Sequence, residues 1–141
     1  MRILMGVDDS QFTGDTLKAI VAQRRAENAE VLVLHVLQPQ GPTPPQMGSG
    51  YAPELEAENK AAGALVERIA EELRSAGFKA DTRIKVGDIR EGILDSAAEW
   101  RADLILVGSR GQRGIQHFLL GSVAEFVARH AKCSVEIVRT P

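Results

Sequence analysis

The groups with chemistry to offer lie mostly in one stretch, Ala102 to Val123, which reads ADLILVGSRGQRGIQHFLLGSV. It opens with an apolar run, Leu104 to Val107, that reads as a strand buried on both faces. Gly108 and Gly111 follow, with Ser109 and Arg110 between them. After nine further residues come Gly121 and Ser122, then a helical pattern in Val123, Phe126, Val127 and His130. Strand, glycine loop and helix N-terminus in this order suit a phosphate. Glycines let a backbone approach an anion where a Cβ would clash. The free N–H groups and positive dipole end of a helix N-terminus favour negative charge. Ser122 can add a hydroxyl, and Arg110 or Arg113 a positive charge.

Each hydrogen bond to a charged group contributes about 1.5–3 kcal/mol, so four amount to roughly 6–12. Micromolar binding needs about 8 kcal/mol, and ordering costs reduce the gross figure, so such a loop alone gives modest affinity. The plain alternative is a glycine-rich turn that merely closes a βα connection.

These residues need elements to hold them. Arg2 to Val7 is an apolar run closed by Asp8-Asp9-Ser10 and reads as a central strand, with Ser10 a candidate N-cap for the next helix. In that helix Phe12, Thr16, Leu17, Ile20 and Val21 share a face, Lys18, Arg24 and Arg25 point elsewhere, and Asn28 marks its end. Val31 to Leu37 reads as the second strand. Residues 38–50 hold four of the six prolines and read as a surface loop, either a plain linker or a lid over a ligand. A long amphipathic helix runs from Tyr51 or Pro53 to about Ala76, buried along Leu55, Ala62, Leu65, Val66, Ile69 and Leu73, with Gly77 as its stop. Phe78 to Val86 is a more polar strand, as suits a sheet edge. Asp88 with Glu91 resembles a capping box for a helix that buries Ile89, Ile93, Ala97 and Trp100. A helix to about Ala131 and a strand from Ser134 to Arg139 complete the order βαβαβαβαβ. That alternation implies a parallel sheet with right-handed crossovers and helices on both faces.

The pattern Gly108-x-x-Gly111, nine residues, Gly121-Ser122 resembles the ATP-binding signature of the universal stress protein family. The opening MRILMGVDDS, the run VLVLHVL and the segment ADLILVGSRG agree with it, and the resemblance covers nearly the whole chain. It implies an open parallel α/β sheet of five strands in the order 3-2-1-4-5, of the adenine nucleotide alpha hydrolase-like kind. In that order the first and fourth strands flank a topological switch point, where ligands of such sheets bind. It further implies ATP, with Mg²⁺ bridging its phosphates. Asp8 is carried over as a contact for the nucleoside, its alternative being a cap on the first helical turn. Val36 matches a position whose backbone meets the adenine edge, its alternative being ordinary core. Gly6, Val7 and Val107 flank the same pocket. Gly108 and Gly111 approach ribose and phosphates, and Gly121, Ser122 and Val123 supply phosphate contacts. Arg110 stands where relatives often carry histidine.

The resemblance implies a regulatory, stress-response module that holds ATP as a ligand and forms homodimers, with the last strand as the pairing edge. Glu136 departs from the apolar character of that strand in relatives; it either guards an exposed edge or rims an interface. The alternatives are a slow ATP hydrolase or phosphoryl- or adenylyl-transfer enzyme, for which His117 is the one base within the nine-residue span, and a nucleotide-free dimerising module. A flavin site is more remote.

Composition bounds the rest. The chain's 141 residues fit one domain, residues 1–141, with a sizeable core. Seventeen basic against nineteen acidic side chains leave a net charge of −2, which argues against a general nucleic-acid or acidic-membrane binder. No apolar run approaches a membrane span, and Asp8 and Asp9 interrupt any signal-peptide core. The single cysteine, Cys133, excludes an internal disulfide and fits a cytoplasmic location; it reads as a small buried hydrophobe. His35, His117 and His130 lack metal-ligand spacing.

Overall fold

The computed structural model describes residues 1–8, 13–39, 53–109 and 121–139. Five strands, β1 (Arg2–Gly6), β2 (Glu30–Leu37), β3 (Lys79–Val86), β4 (Leu104–Gly108) and β5 (Ser134–Val138), form one sheet in the order β3-β2-β1-β4-β5. All four pairings are parallel. The helices are α1 (Thr13–Gln23), α2 (Pro53–Ser75), α3 (Ile89–Trp100) and α4 (Ser122–His130). The expected strand order therefore holds, and β1 and β4 are neighbours at the centre.

Apolar residues on both faces of β1, β2 and β4 explain why these strands are central. Ile3, Met5, Val31, Val33, Leu104 and Leu106 face Leu17 and Ile20 of α1 and Val66, Ile69 and Leu73 of α2. The residues between them, Leu4, Leu32, Leu34, Ile105 and Val107, face Ile93 and Ala97 of α3 and Ala124 and Val127 of α4. Strand alternation thus builds one core on each side of the sheet.

The polar third strand lies at an edge, where Lys85 and Arg83 reach Glu99 at 3.0 and 3.6 Å. Gly77 ends α2 with φ +95°, a conformation that favours glycine. The side chain of Asp88 caps α3 by accepting from the Glu91 N–H at 3.0 Å.

Three expectations for α1 need correction. The helix ends at Gln23, and Asn28 instead closes a separate 3₁₀ turn, Ala26–Asn28. Val21 is 44% exposed, because α1 turns only Thr13, Thr16, Leu17 and Ile20 fully inward. Arg24 does not point away to solvent. Its Nη2 donates to Glu136 Oε1 of β5 at 2.5 Å, with both side chains about a quarter exposed. Glu136 therefore lies on the α1 side of the edge strand, neutralised within the chain. Phe12 and the proposed cap Ser10 lie outside the described residues, as does most of the proline-rich segment 38–50.

Candidate functional site

The carboxyl ends of β1 and β4 meet at the switch point. Gly6 is there because the two strands come close: a Cβ on it would sit 3.2 Å from Val107 Cγ1 and 3.6 Å from Ile93 Cδ1. Val107 and Val7 are themselves buried, so both contribute walls and not polar groups.

The polar backbone at these strand ends is largely engaged. Val7 donates its N–H to the Leu34 carbonyl at 2.9 Å, and its own carbonyl contacts His35 Nδ1 at 2.8 Å. On the other side, Ser109 N–H donates to the Val138 carbonyl at 2.8 Å. Gly121 N–H then donates to the Ser109 carbonyl at 2.7 Å. This last bond is central to the site. It ties the end of β4 directly to the opening of α4, across a sequence gap whose interior lies outside the described residues.

Gly121 is the N-cap of α4, with φ −61° and ψ 155°, and its carbonyl accepts the first helical bond, from Glu125 N–H at 3.0 Å. The amides of Ser122, Val123 and Ala124 therefore precede the helical ladder and are the donors this helix end has to offer. Gly121 is different from the expectation in detail. Its own N–H is already given to Ser109, so it offers an anion bare backbone and not a hydrogen bond. Ser122 is exposed and Val123 half-buried at the same end.

Asp8, half-buried, leaves β1 beside this junction and is held by Thr13, whose Oγ1 lies 3.2 Å from its Oδ1. Val36 is buried, its side chain in the α3 core. The close approach of α3 explains that packing: a Cβ on Gly92 would meet the Val36 methyls at 2.9 and 3.0 Å. The backbone of Val36 is a separate matter. Pairing of β2 with β1 runs to Leu34, while pairing with β3 runs to Leu37. Since Leu34 directs its carbonyl to β1, strand alternation points the N–H and carbonyl of Val36 the same way, past the place where β1 ends.

Arg110, Gly111 and His117 lie outside the described residues. Among the described residues no group of three or more His, Cys, Asp or Glu side chains is placed to hold a metal ion. Cys133 is half-buried, and burial pushes its thiol up from the ordinary value. Sequence reasoning missed Thr13, Gly92 and the Ser109–Gly121 bond. Thr13 stands five positions after Asp8, a spacing that carries no signal until the loop is folded.

The fold is an open parallel α/β sheet with helices, and its topological switch point lies at the carboxyl ends of β1 and β4. The chain belongs to the universal stress protein family, whose model matches residues 1–139. It is 32% identical over 145 residues to the universal stress protein YxiE of Bacillus subtilis, covering 98% of each chain. The solved structure of the hypothetical protein MJ0577 is 31% identical, with a TM-score of 0.82, over 99% of this chain and 96% of that one. A universal stress protein from Archaeoglobus fulgidus in complex with dAMP is 25% identical, with a TM-score of 0.68, over 98% and 97% of the two chains. Another universal stress protein, in complex with cAMP, is 26% identical with a TM-score of 0.72, over 100% of this chain and 98% of that one.

Proposed function

We propose that this chain binds ATP, accompanied by Mg²⁺, at the carboxyl ends of β1 and β4, and that the nucleotide is a regulatory ligand and not the fuel of a dedicated reaction. The observation that carries the reading is the 2.7 Å bond from Gly121 N–H to the Ser109 carbonyl. It sets the end of the fourth strand against three helix-opening amides, which suits a polyanion. Asp8, an acceptor when ionised, suits the hydroxyl or amino donors of a nucleoside. The β1-facing backbone of Val36 offers a donor and an acceptor to the edge of a base. The family relatives solved with cAMP and dAMP support an adenine nucleotide as the class of ligand.

In this reading Gly108 and Gly111 pass under the ribose and phosphates, Ser122 and Val123 donate to the phosphates, and Arg110 adds charge. Mg²⁺ travels with the triphosphate, as it commonly does, keeping several waters. Gly6, Val7 and Val107 form the apolar floor. The whole of residues 1–141 acts as one domain in the cytoplasm, as a homodimer paired through Ser134–Arg139. Glu136 does not oppose that pairing, because Arg24 draws its carboxylate to the α1 side of the strand. A regulatory protein partner reads the nucleotide state.

The test is the nucleotide content of freshly purified protein, with equilibrium dialysis against ATP and Mg²⁺ as its complement. Stoichiometric adenine nucleotide, or saturable one-to-one binding, is the expected result. Protein that neither carries nor binds adenine nucleotide would end the proposal. Sedimentation equilibrium is expected to give twice the chain mass, and the mass of one chain would remove the dimer.

A further inference from the structure

The parallel ladder between β1 and β2 stops where one more rung could form, and a side chain stands in its place. Gly6 pairs with Leu34, and Val7 N–H donates to the Leu34 carbonyl at 2.9 Å. The next bond of a parallel ladder would run from Val36 N–H to the Val7 carbonyl. Among the described residues no such bond is made. His35 Nδ1 lies 2.8 Å from that carbonyl oxygen instead. A carbonyl oxygen only accepts, so Nδ1 carries the proton and donates it. Alternation along β2 puts the half-buried His35 on the face of Val31 and Val33, which pack toward α1 and α2. The ring therefore takes the carbonyl from that face, out of line with the ladder. The consequence falls on Val36. Its side chain is buried against α3, and its N–H and carbonyl face β1, since its neighbour Leu37 turns the other way to accept from Gly87 N–H at 2.8 Å. A carbonyl left without a donor inside a fold is costly. Were the imidazole absent, the Val7 carbonyl would draw in the Val36 N–H and the ladder would close by one more bond.

We infer, on the nucleotide reading above, that His35 is a positioning residue: by donating to the Val7 carbonyl it keeps the Val36 N–H out of the ladder and available to the base, which the imidazole itself does not touch. Adenine presents an acceptor at N1 beside the donor of its amino group, the complement of one N–H and one carbonyl. Hypoxanthine, the base of inosine triphosphate, carries a proton at N1 and an oxygen in place of the amino group. It cannot receive the Val36 N–H at N1. His35 thus acts on the choice between the two bases.

The experiment compares the full chain with His35→Leu and His35→Asn. Leucine and asparagine have nearly the same shape, but only the asparagine amide can place a donor where Nδ1 stood. Calorimetric titration with ATP and with inosine triphosphate, each with Mg²⁺, gives the preference between the bases. The parent is expected to favour ATP, and in His35→Leu that preference shrinks by roughly three- to tenfold, the worth of one hydrogen bond. His35→Asn keeps the preference within about twofold of the parent. The second readout needs no nucleotide. A long-range HNCO spectrum, which detects coupling across a hydrogen bond, is expected to link Val36 N to the Val7 carbonyl carbon in His35→Leu and not in the parent. An unchanged preference in His35→Leu overturns the inference, and so does a reduced preference without the new coupling. A parent that binds ATP but does not favour it over inosine triphosphate overturns it as well. A parent that binds no adenine nucleotide ends the nucleotide reading, and the spectra alone then show whether His35 keeps Val36 out of the ladder. His35→Phe, a ring without a donor, takes the place of His35→Leu should that variant fold poorly.

Discussion

The two ends of the central strand are built in opposite ways. At the amino end of β1, polar groups of this chain satisfy one another. Arg2 donates its backbone N–H to Asp103 Oδ2 at 2.7 Å, its Nε to Glu30 at 2.8 Å and its Nη1 to the Trp100 carbonyl at 2.6 Å. Its guanidinium also lies 5.4 Å from the Trp100 ring centre. The terminal amine of Met1 donates to the Asn28 carbonyl, and Asp103 N–H returns a bond to Arg2. At the carboxyl end, the chain leaves β1 and β4 through glycines, and a helix opens there with three amides ahead of its ladder. One end closes the molecule on itself; the other faces outward with groups suited to a ligand. The contrast teaches that burial alone does not locate function in this sheet. What differs between the ends, among the described residues, is that side chains close the amino end while the opening amides of α4 stand at the carboxyl end.

The comparison breaks first if the two ends cannot be separated by mutation. Gly121→Val should lower affinity for ATP roughly a hundredfold, about the worth of one to two charge-assisted hydrogen bonds made by the neighbouring amides. A branched side chain there stands where a phosphate would approach. The backbone at Gly121, φ −61° and ψ 155°, accepts valine without strain, so the melting temperature should fall by only a few degrees, about 1 kcal/mol or less. Unchanged affinity in dialysis would mean that the carboxyl end is no more a ligand site than the amino end.

Arg2→Ala is the converse. It removes an exposed ion pair, a ring contact and a bond to a carbonyl, together about 1–2 kcal/mol. The backbone bond from residue 2 to Asp103 survives the substitution. Urea unfolding should report the loss, while ATP affinity stays at the parent value. A variant that lost affinity with little loss of stability would show that the two ends are coupled through β1.

Much of this fold was legible because its signals are local. Apolar runs marked the central strands β1, β2 and β4 to within a residue, since a strand covered on both faces must be largely apolar. Gly77 announced a helix end through its left-handed backbone, and Asp88 a helix start through its capping carboxylate. The missing features depend on contacts between distant residues. Arg24 reads as pointing away from the apolar face of its helix, and it meets Glu136 only because β5 lies beside β4. Gly92 carried no signal of its own, and its missing Cβ is what lets α3 approach Val36. At the candidate site, the glycines stand out by type and spacing, while Asp8 enters through the family resemblance. That Gly121 N–H is already used, and that Thr13 holds Asp8, could not, because both depend on the path of the chain between elements.

Asp88 offers the smallest and most discriminating test, since it sits at the carboxyl end yet serves the fold. Its Oδ1 accepts from the Glu91 N–H, and Arg90 Nη2 lies 3.6 Å from its other oxygen. The Glu91 hydrogen bond, with help from the Arg90 charge, holds the carboxyl below its ordinary value. A carboxylate depressed in the folded state adds stability that is fully present above its unfolded value. That stability is lost as pH falls through the folded value. Asp88→Ala should therefore cost about 1 kcal/mol at neutral pH, the usual worth of an N-cap, and progressively less as the solution is taken below the ordinary carboxylate range. Asp88→Asn keeps a capping oxygen without the charge, so it should cost only a few tenths and lose most of the pH dependence. Urea unfolding at neutral and acid pH measures both, and dialysis should find ATP affinity unchanged in each. If either substitution lowered affinity instead, the ligand surface would extend along the sheet to α3, and the division between a closed end and an open one would have to be drawn through Asp88.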